Sequence, residues 1–212
     1  MTAKQRGRPR SFDRETALEQ AIRAFWEHGY EATSIADLTR AMGIGAPSLY
    51  AAFGDKRSLF AEVVEEYGHT YGAFMGRALS EEPTARRGVE RMLREAAVEY
   101  TEPGRPHGCL VISAAVNATS DSADVVAELR ARREANVQAV RRAIEADMAA
   151  GELPAEVDAQ ALARFTAATI QGMSQQARDG AGRQELESVA ELALRVWPGR
   201  PAATGATQGR GA

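Results

Sequence analysis

The 212-residue sequence contains a single cysteine, Cys109, and only three histidines. One cysteine excludes an internal disulfide framework and suits a reducing compartment. The histidines His28, His69 and His107 are scattered and lack partners at i, i+4 or Cys-x-x-Cys spacing, so no metal site and no cofactor are predicted. The apolar neighbours of Cys109 favour a packing role, and a thiol sensor is the alternative.

Long apolar runs are also missing, because no window holds 18 uninterrupted apolar residues, which excludes a transmembrane helix. The N-terminus is basic, but no apolar segment follows it, so it does not resemble a secretory signal. We therefore expect a cytoplasmic protein that does not associate with a membrane.

Enzyme signatures are absent as well. The sequence has no strand pattern, and it lacks Gly-x-Ser-x-Gly, P-loop and dinucleotide-binding motifs at a strand-to-helix junction. Paired carboxylates and an activated nucleophile are likewise not indicated. We conclude from the sequence that the protein is not an enzyme.

The net charge of −3 is unevenly distributed. Residues 1–57 carry nine Lys/Arg against seven Asp/Glu, whereas the remaining residues carry 17 against 22. The first twelve positions hold four cations and no anion. Attraction to a polyanion depends on a local basic patch, so the overall negative charge is compatible with nucleic-acid binding.

The first predicted helix begins at Asp13, a residue type that caps helix N-termini. An apolar stripe follows at i, i+3, i+4 and i+7, formed by Leu18, Ala21, Ile22 and Phe25. We expect this helix to stop at Gly29.

The next stretch carries the signals of two unusually short helices. Ser34 has Asp37 three residues later, which is the spacing of a capping box. Gly43 ends that helix after about nine residues. Pro47 suits the first turn of a third helix, and Gly54 closes it. Two short helices joined by a glycine-containing turn predict a helix-turn-helix module.

The remaining chain is predicted to be helical as far as residue 197. Asp55 caps a long fourth helix that carries Tyr71 and Phe74. Further helices are expected at about 83–100, 107–119 (buried on most sides), 121–150, 157–178 and 184–197. The fold is therefore expected to be all-α with about nine helices. The predicted divisions are a basic flexible arm (1–11), a three-helix helix-turn-helix domain (12–57), a helical ligand-binding and dimerisation domain (58–197) and a disordered tail (198–212).

Residues 12–62 resemble the TetR family of transcriptional regulators, of the AcrR-like kind. The resemblance is carried by Gly29-Tyr30-Glu31-Ala32-Thr33-Ser34-Ile35-Ala36-Asp37-Leu38, Met42-Gly43-Ile44, Ser48-Leu49-Tyr50, Phe53, Lys56 and Leu59-Phe60. The rest of the chain is similar to the family in its helical layout, with a weaker match at Gly108-Cys109-Leu110.

The resemblance implies a DNA-binding surface. Its phosphate contacts would be made by Thr33 and Ser34 at the second helix, by Tyr50 and by Lys56. Its base contacts in the major groove would be made by Gly45, Ala46, Pro47 and Ser48. The arm residues Arg6, Arg8 and Arg10 resemble the core of an AT-hook and would lie in a minor groove.

The third helix departs from the family pattern after Tyr50. Many relatives have an aromatic residue and then a histidine there, whereas this sequence has Ala51 and Ala52. Two familiar DNA contacts are therefore missing, which leaves room for an alternative function: a helical small-molecule-binding protein with a degenerate DNA-binding module.

The resemblance also implies a ligand pocket and a dimer interface in the C-terminal body. The candidate pocket residues are Tyr71, Phe74, Met92, Tyr100, Leu110, Ser113, Asn117, Met148, Phe165 and Thr169, with Tyr67 as a further aromatic candidate. The candidate residues of a four-helix dimer interface are Gly172, Met173, Leu186, Val189, Ala193 and Trp197. Plain core packing is the alternative for both sets.

Taken together, these features predict a homodimeric, ligand-responsive regulator that binds a near-palindromic double-stranded DNA operator. A small-molecule effector would release it. Repression is the favoured sign of regulation, with activation as the alternative. The expected location is the bacterial cytoplasm, on the nucleoid when the protein is bound to DNA.

Overall fold

The computed structural model describes residues 12–199, which form ten α-helices and no strand. The helices are α1 (Arg14–Ala32), α2 (Ile35–Met42), α3 (Ala46–Phe53), α4 (Lys56–His69), α5 (Ala73–Glu81), α6 (Ala85–Glu99), α7 (Leu110–Ser113), α8 (Ala123–Ala149), α9 (Ala159–Arg178) and α10 (Arg183–Leu194). A 3₁₀ turn at Ser120–Ser122 precedes α8. Nine of the helices are longer than one turn, so the all-α prediction is confirmed. Within this part of the chain, no helix combines the length and hydropathy needed to cross a bilayer.

The local signals of the N-terminal module are confirmed. The Ser34 hydroxyl accepts from Asp37 N–H while the Asp37 carboxylate accepts from Ser34 N–H, which closes the capping box of α2. Gly43 ends α2 in the left-handed conformation, with φ 67°. Pro47 lies in the first turn of α3. Asp55 caps α4 by accepting from Ser58 N–H at 2.7 Å.

An aromatic cluster joins α1 to α4. The Phe25 and Phe60 rings meet edge to face with centroids 5.0 Å apart, and the Tyr30 ring lies 4.9 Å from that of Phe60. Leu38 of α2 and Leu49 of α3 are fully buried in the same core. This packing holds the short helices α2 and α3 against α1 and α4. Helix α4 therefore belongs to the core of both the N-terminal module, formed by α1–α3, and the body, formed by α5–α10.

Two predicted boundaries near the module are wrong. The first helix does not stop at Gly29 but passes through a kink there, where Gly29 adopts φ 79° and ψ 171°, and continues to Ala32. The fourth helix does not run on to Phe74. It breaks between α4 and α5, where Gly72 N–H donates to the Tyr67 carbonyl at 2.8 Å. A Cβ on Gly72 would lie only 3.2 Å from the Tyr67 ring, so the close return depends on glycine.

The predicted helix over residues 107–119 is also wrong. Only the single turn α7 is helical there, and Val116 is 72% exposed. Gly108 adopts φ 76°, and the Cys109 N–H is satisfied by the Ser174 hydroxyl of α9 at 2.9 Å. The chain is therefore held to α9 at the point where α7 begins. The last helix ends at Leu194, earlier than the predicted residue 197.

The body is built around the 27-residue α8, which packs against α6, α7 and α9. Helix α10 packs on α6 and α9. The buried Asp147 carboxylate of α8 accepts from Ala85 N–H at 2.7 Å and so satisfies the start of α6. A buried carboxylate that caps a neighbouring helix fixes the position of one helix on the other.

We predict that Gly108→Ala lowers the free energy of unfolding by about 2–4 kcal/mol, because a Cβ there meets both a positive φ and a clash. It would lie 2.6 Å from the Ser174 carbonyl oxygen. Gly104→Ala is the matched control, since Gly104 has φ 83° but nothing within 4 Å of its Cβ position. It should lose only about 1 kcal/mol. Urea unfolding measures both values, and equal losses would contradict the close approach.

Candidate nucleic-acid interface and internal cavity

The outer face of the helix-turn-helix is formed by α3 and its preceding turn. Gly45, Pro47 and Ser48 are exposed, and Ala46 is partly exposed. The Tyr50 side chain is 50% exposed, although it is large and aromatic. No side chain caps the start of α3. Pro47 has no backbone N–H, and the N–H of Ser48 donates to the Gly45 carbonyl at 3.0 Å, so the Ser48 hydroxyl and the Tyr50 side chain are the exposed polar groups at this end of α3. This face therefore presents the set of groups expected to meet DNA.

The predicted role of Thr33 as a cap of the second helix is wrong. Thr33 ends α1 and does not cap α2, and it is completely buried. Its hydroxyl donates to the Gly29 carbonyl at 2.6 Å, so the side chain braces the kink in α1. Ser34 alone supplies the cap of α2, and it is exposed. The capping-residue pattern could not distinguish two neighbouring hydroxyls, one of which points inward.

Lys56 stands at the first turn of α4 and is only partly exposed. Its ammonium group lies 4.4 Å from the centre of the Tyr30 ring and 3.5 Å from the Glu31 carbonyl oxygen. Burial lowers the pKa of Lys56. Its phosphate contact stays a prediction. The minor-groove contact of Arg6, Arg8 and Arg10 also stays a prediction, because these residues lie outside the described part of the chain.

Arg40 of α2 is a cation that the sequence reasoning missed. Its side chain is 76% exposed and pairs with Asp37 at 3.0 Å. An arginine three residues after the capping-box aspartate was the available signal, because the i, i+3 spacing places both on one face of α2. It gives α2 an exposed guanidinium group that is paired with Asp37.

The segment of residues 109–122, called the strap below, connects the module to the body. The Ala114 carbonyl accepts from Tyr30 N–H at 2.7 Å, just after the kink in α1. A Cβ on Gly29 would lie 3.1 Å from the same carbonyl oxygen. The absence of a side chain at Gly29 therefore allows the strap to contact the backbone of α1 directly.

Glu31 makes a second contact with the strap. Its carboxylate accepts from Thr119 N–H at 2.9 Å and from the Thr119 hydroxyl at 2.8 Å. Hydrogen bonds from Ser122 and Thr119 lower the pKa of Glu31 to about 2. The ionised carboxylate therefore links the end of α1 to the start of α8.

A cavity of about 460 Å³ lies in the body, within the size range of small-molecule sites. One wall is the strap, through Val111 and Ile112, and the others are the junction of α4 and α5, α8 and α9. The lining residues are Val64, Tyr67, Gly68, His69, Gly72, Ala73, Met75, Gly76, Cys109, Val111, Ile112, Arg132, Arg133, Ala135, Asn136, Ala167, Ile170 and Gln171. Burial raises the pKa of Cys109, which keeps its sulfur as a thiol and agrees with the packing interpretation.

The predicted pocket needs correction, because none of its ten residues lines this cavity. Core positions are held by Phe74, Met92, Tyr100 and Leu110, and Met148 packs partly buried against the core. Three hydroxyl groups are already hydrogen-bonded: that of Tyr71 donates to the Glu19 carboxylate, that of Ser113 to the Cys109 carbonyl and that of Thr169 to the Phe165 carbonyl. The side chains of Asn117 and Phe165 are exposed. Only the further candidate Tyr67 is on the cavity wall. Apolar periodicity identifies filled core, whereas the glycines at 68, 72 and 76 mark the space next to it.

The predicted dimer residues divide into two groups. The side chains of Met173, Leu186, Ala193 and Trp197 are buried within the monomer. Gly172 and Val189 are exposed. The exposed large apolar side chains of α9, α10 and the turn after it are Phe165, Val189, Leu192 and Val196. The sequence reasoning considered Val196 for this interface but missed Leu192, and both side chains are 59% exposed.

Two sequence profiles match the chain. One, described as "Bacterial regulatory proteins, tetR family", covers residues 17–63, which include the helix-turn-helix. The other, described as "Tetracyclin repressor-like, C-terminal domain", covers residues 88–191. Together they extend over the module and most of the body.

Similar proteins are found over nearly the whole length. The HTH-type transcriptional repressor ComR of Escherichia coli (strain K12) is 37% identical over 196 residues, covering 92% of this chain and 93% of ComR. The repressor BdcR of the same organism is 30% identical, covering 88% of this chain and 90% of BdcR. A cysteine mutant of the TetR family transcriptional regulator CifR, solved with 26-bp double-strand operator DNA, has 43% identity and a TM-score of 0.86, covering 91% of this chain and 100% of CifR.

We predict a pH-dependent stability contribution from Glu31. Because its folded pKa is depressed, ionised Glu31 stabilises the fold above its ordinary pKa of 4.5, and this contribution is lost as the pH falls toward about 2. The melting temperature of Glu31→Gln should therefore lie below that of the wild type at neutral pH and converge with it in acid. Glu27→Gln, at an exposed position on the same helix, is the matched control and should melt as the wild type does at neutral pH. A difference in melting temperature between Glu31→Gln and the wild type that stays constant across this pH range would contradict the depressed pKa of Glu31.

Proposed function

Because the chain belongs to the TetR family of bacterial regulatory proteins, we propose that it is a homodimeric transcriptional repressor. It binds a near-palindromic DNA operator and releases it when a small molecule enters the cavity. The observation that carries the proposal is the exposed face of α3, with Ser48 and Tyr50 outward and Leu49 buried beneath them. The protein acts in the bacterial cytoplasm, on the nucleoid when DNA is bound.

The face of α3 fits a major groove in shape and chemistry. Small residues at the start of α3 allow its backbone to approach base edges closely, and Tyr50 can reach a phosphate. Few side chains on this helix can make bidentate base contacts, so thymine methyl groups and the shape of the DNA carry more of the specificity. Proteins named as repressors, ComR and BdcR, and the operator-bound CifR support this assignment.

A dimer is required because one module offers few contacts. Two modules related by a two-fold axis would read half-sites about one helical turn apart. The exposed apolar surface of α9 and α10 suits contact between two copies, because Phe165, Leu192 and Val196 would otherwise stay in water. Four helices, two from each copy, would then form the interface.

The strap provides a route from the cavity to the DNA-binding module. Val111 and Ile112 face the cavity, and Ala114 a few residues later holds the backbone of α1. A ligand that moves α7 would therefore move the anchor of the module. To take the repressor from mostly bound to mostly free, the ligand must prefer the released conformer by roughly 5 kcal/mol.

The first test is operator binding. The protein should shift DNA from upstream of its own gene in the presence of excess random duplex, and the shift should weaken steeply with salt because phosphate contacts release counterions. Tyr50→Phe should weaken binding about tenfold or more, through loss of one hydrogen bond to a charged group. Ser80→Ala removes an exposed hydroxyl on α5 and should bind as the wild type does.

A missing shift would first be followed by selection from random sequences on the same protein. If no sequence is enriched, the repressor assignment fails. The alternative, a helical small-molecule-binding protein with a degenerate DNA-binding module, would then be favoured. Ala51 and Ala52 would be its explanation, and Ala51 is exposed on α3.

The second test concerns the dimer. Leu192→Asp should convert the dimer to a monomer and reduce operator affinity, because a carboxylate would be buried in an apolar interface. Light scattering after size exclusion measures the mass. The control is Val116→Asp, which places the same charge at a 72% exposed position on the strap. If both variants remain dimeric, the interface lies elsewhere.

A further inference from the structure

Two arginines of α8 reach the cavity, and only one of them has an acidic partner. Arg132 pairs with Glu65 at 2.8 Å and with Glu128 at 3.7 Å. Arg133 is partly buried and forms no ion pair with any residue between 12 and 199. Its hydrogen bond goes to the Val111 carbonyl oxygen in the strap, at 2.7 Å.

The environment of Arg133 disfavours its charge. Burial and the neighbouring Arg130 lower the pKa of its guanidinium group. The residues lining the cavity include two arginines and no aspartate or glutamate. A partly buried cation that lacks a counter-charge is unfavourable unless an anion is supplied.

The rest of the wall is largely apolar. The apolar side chains that line the cavity together with Arg133 include Val64, Met75, Val111, Ile112, Ala167 and Ile170. Asn136 and Gln171 also line this space, and both residues are exposed. This combination of an apolar wall with a few convergent polar groups is typical of a small-molecule site.

We propose that the cavity binds an organic carboxylate, a molecule with an apolar body and one carboxylate group, and that Arg133 binds the carboxylate. This inference rests on the proposed function and names the chemical class of its effector. The guanidinium group can form two parallel hydrogen bonds to a carboxylate, which a neutral ligand cannot match.

The same residue connects the ligand to the strap. The guanidinium group is a rigid plane whose Nη1 donates to the Val111 carbonyl, so a carboxylate that binds two of its other donors from the cavity turns the whole plane and strains that hydrogen bond. Loss of that hydrogen bond frees α7, whose following residue Ala114 holds Tyr30 of the DNA-binding module. Ligand binding therefore weakens the attachment of α1 to the strap in two ways: it disturbs the hydrogen bond between Arg133 and Val111, and it occupies the space beside α7.

The test is isothermal titration calorimetry of the full chain with matched probes: decanoate against decanol, and cinnamate against cinnamyl alcohol. We expect at least one carboxylate to bind about tenfold or more tightly than its alcohol. Arg133→Gln should abolish that preference and leave alcohol binding unchanged. Arg133→Lys, which keeps the charge, should retain part of the preference.

Arg130→Gln is the matched control, because it removes an equal charge one turn away at an exposed position outside the cavity lining. It should keep the preference for the carboxylate. The proposal is overturned if neither carboxylate is preferred over its alcohol, or if both arginine-to-glutamine variants lose the preference equally. Circular dichroism melting confirms that each variant is folded.

Operator binding, measured separately by fluorescence anisotropy, distinguishes failure of the proposed ligand class from failure of the repressor assignment. A protein that binds DNA but shows no carboxylate preference overturns the ligand class and leaves the repressor assignment intact. A protein that prefers the carboxylate without binding any DNA supports the site and overturns the repressor assignment.

Discussion

The hydrogen bond from Tyr30 N–H to the Ala114 carbonyl is the contact on which the arrangement of the molecule depends. It is made where α1 would otherwise continue as a regular helix, and Gly29 makes it possible by adopting a positive φ and leaving no Cβ in the way. Thr33 then braces the kink from inside the module. The DNA-binding module is therefore held to the body by backbone as well as by side chains, so its position follows the position of the strap closely.

The strap has two faces with different chemistry. Toward the module it offers a carbonyl to α1 and hydrogen-bond donors to the Glu31 carboxylate. Toward the cavity it presents Val111 and Ile112, and the Val111 carbonyl accepts a hydrogen bond from Arg133. The strap contains only the single turn α7 and the 3₁₀ turn at Ser120–Ser122, so it can shift without unfolding a larger element. Such a segment suits the transfer of small displacements between sites.

The parts of the fold that depend on local chemistry could be predicted from the sequence. The capping box of Ser34 and Asp37 and the left-handed Gly43 fixed the ends of α2, because these signals act over a few residues. The parts that depend on distant partners could not. The irregular strap relies on the hydrogen bonds from Cys109 N–H to the Ser174 hydroxyl of α9 and from Tyr30 N–H to the Ala114 carbonyl, which join residues far apart in the sequence. The cavity was missed because apolar periodicity selects filled core such as Phe74 and Met92, and an empty space leaves no periodic signal.

Arg178, at the C-terminal end of α9, donates to the carbonyls of Trp26 and Glu27 in α1. Helix α9, which is proposed to contact its copy in the dimer, is therefore also hydrogen-bonded to α1 of the DNA-binding module. A small change in the angle between the two copies would be passed along α9 to the distance between the two α3 helices. The operator spacing that the protein accepts would then depend on residues that never approach DNA, and it could drift through substitutions at the dimer face while the base-contacting surface stays unchanged.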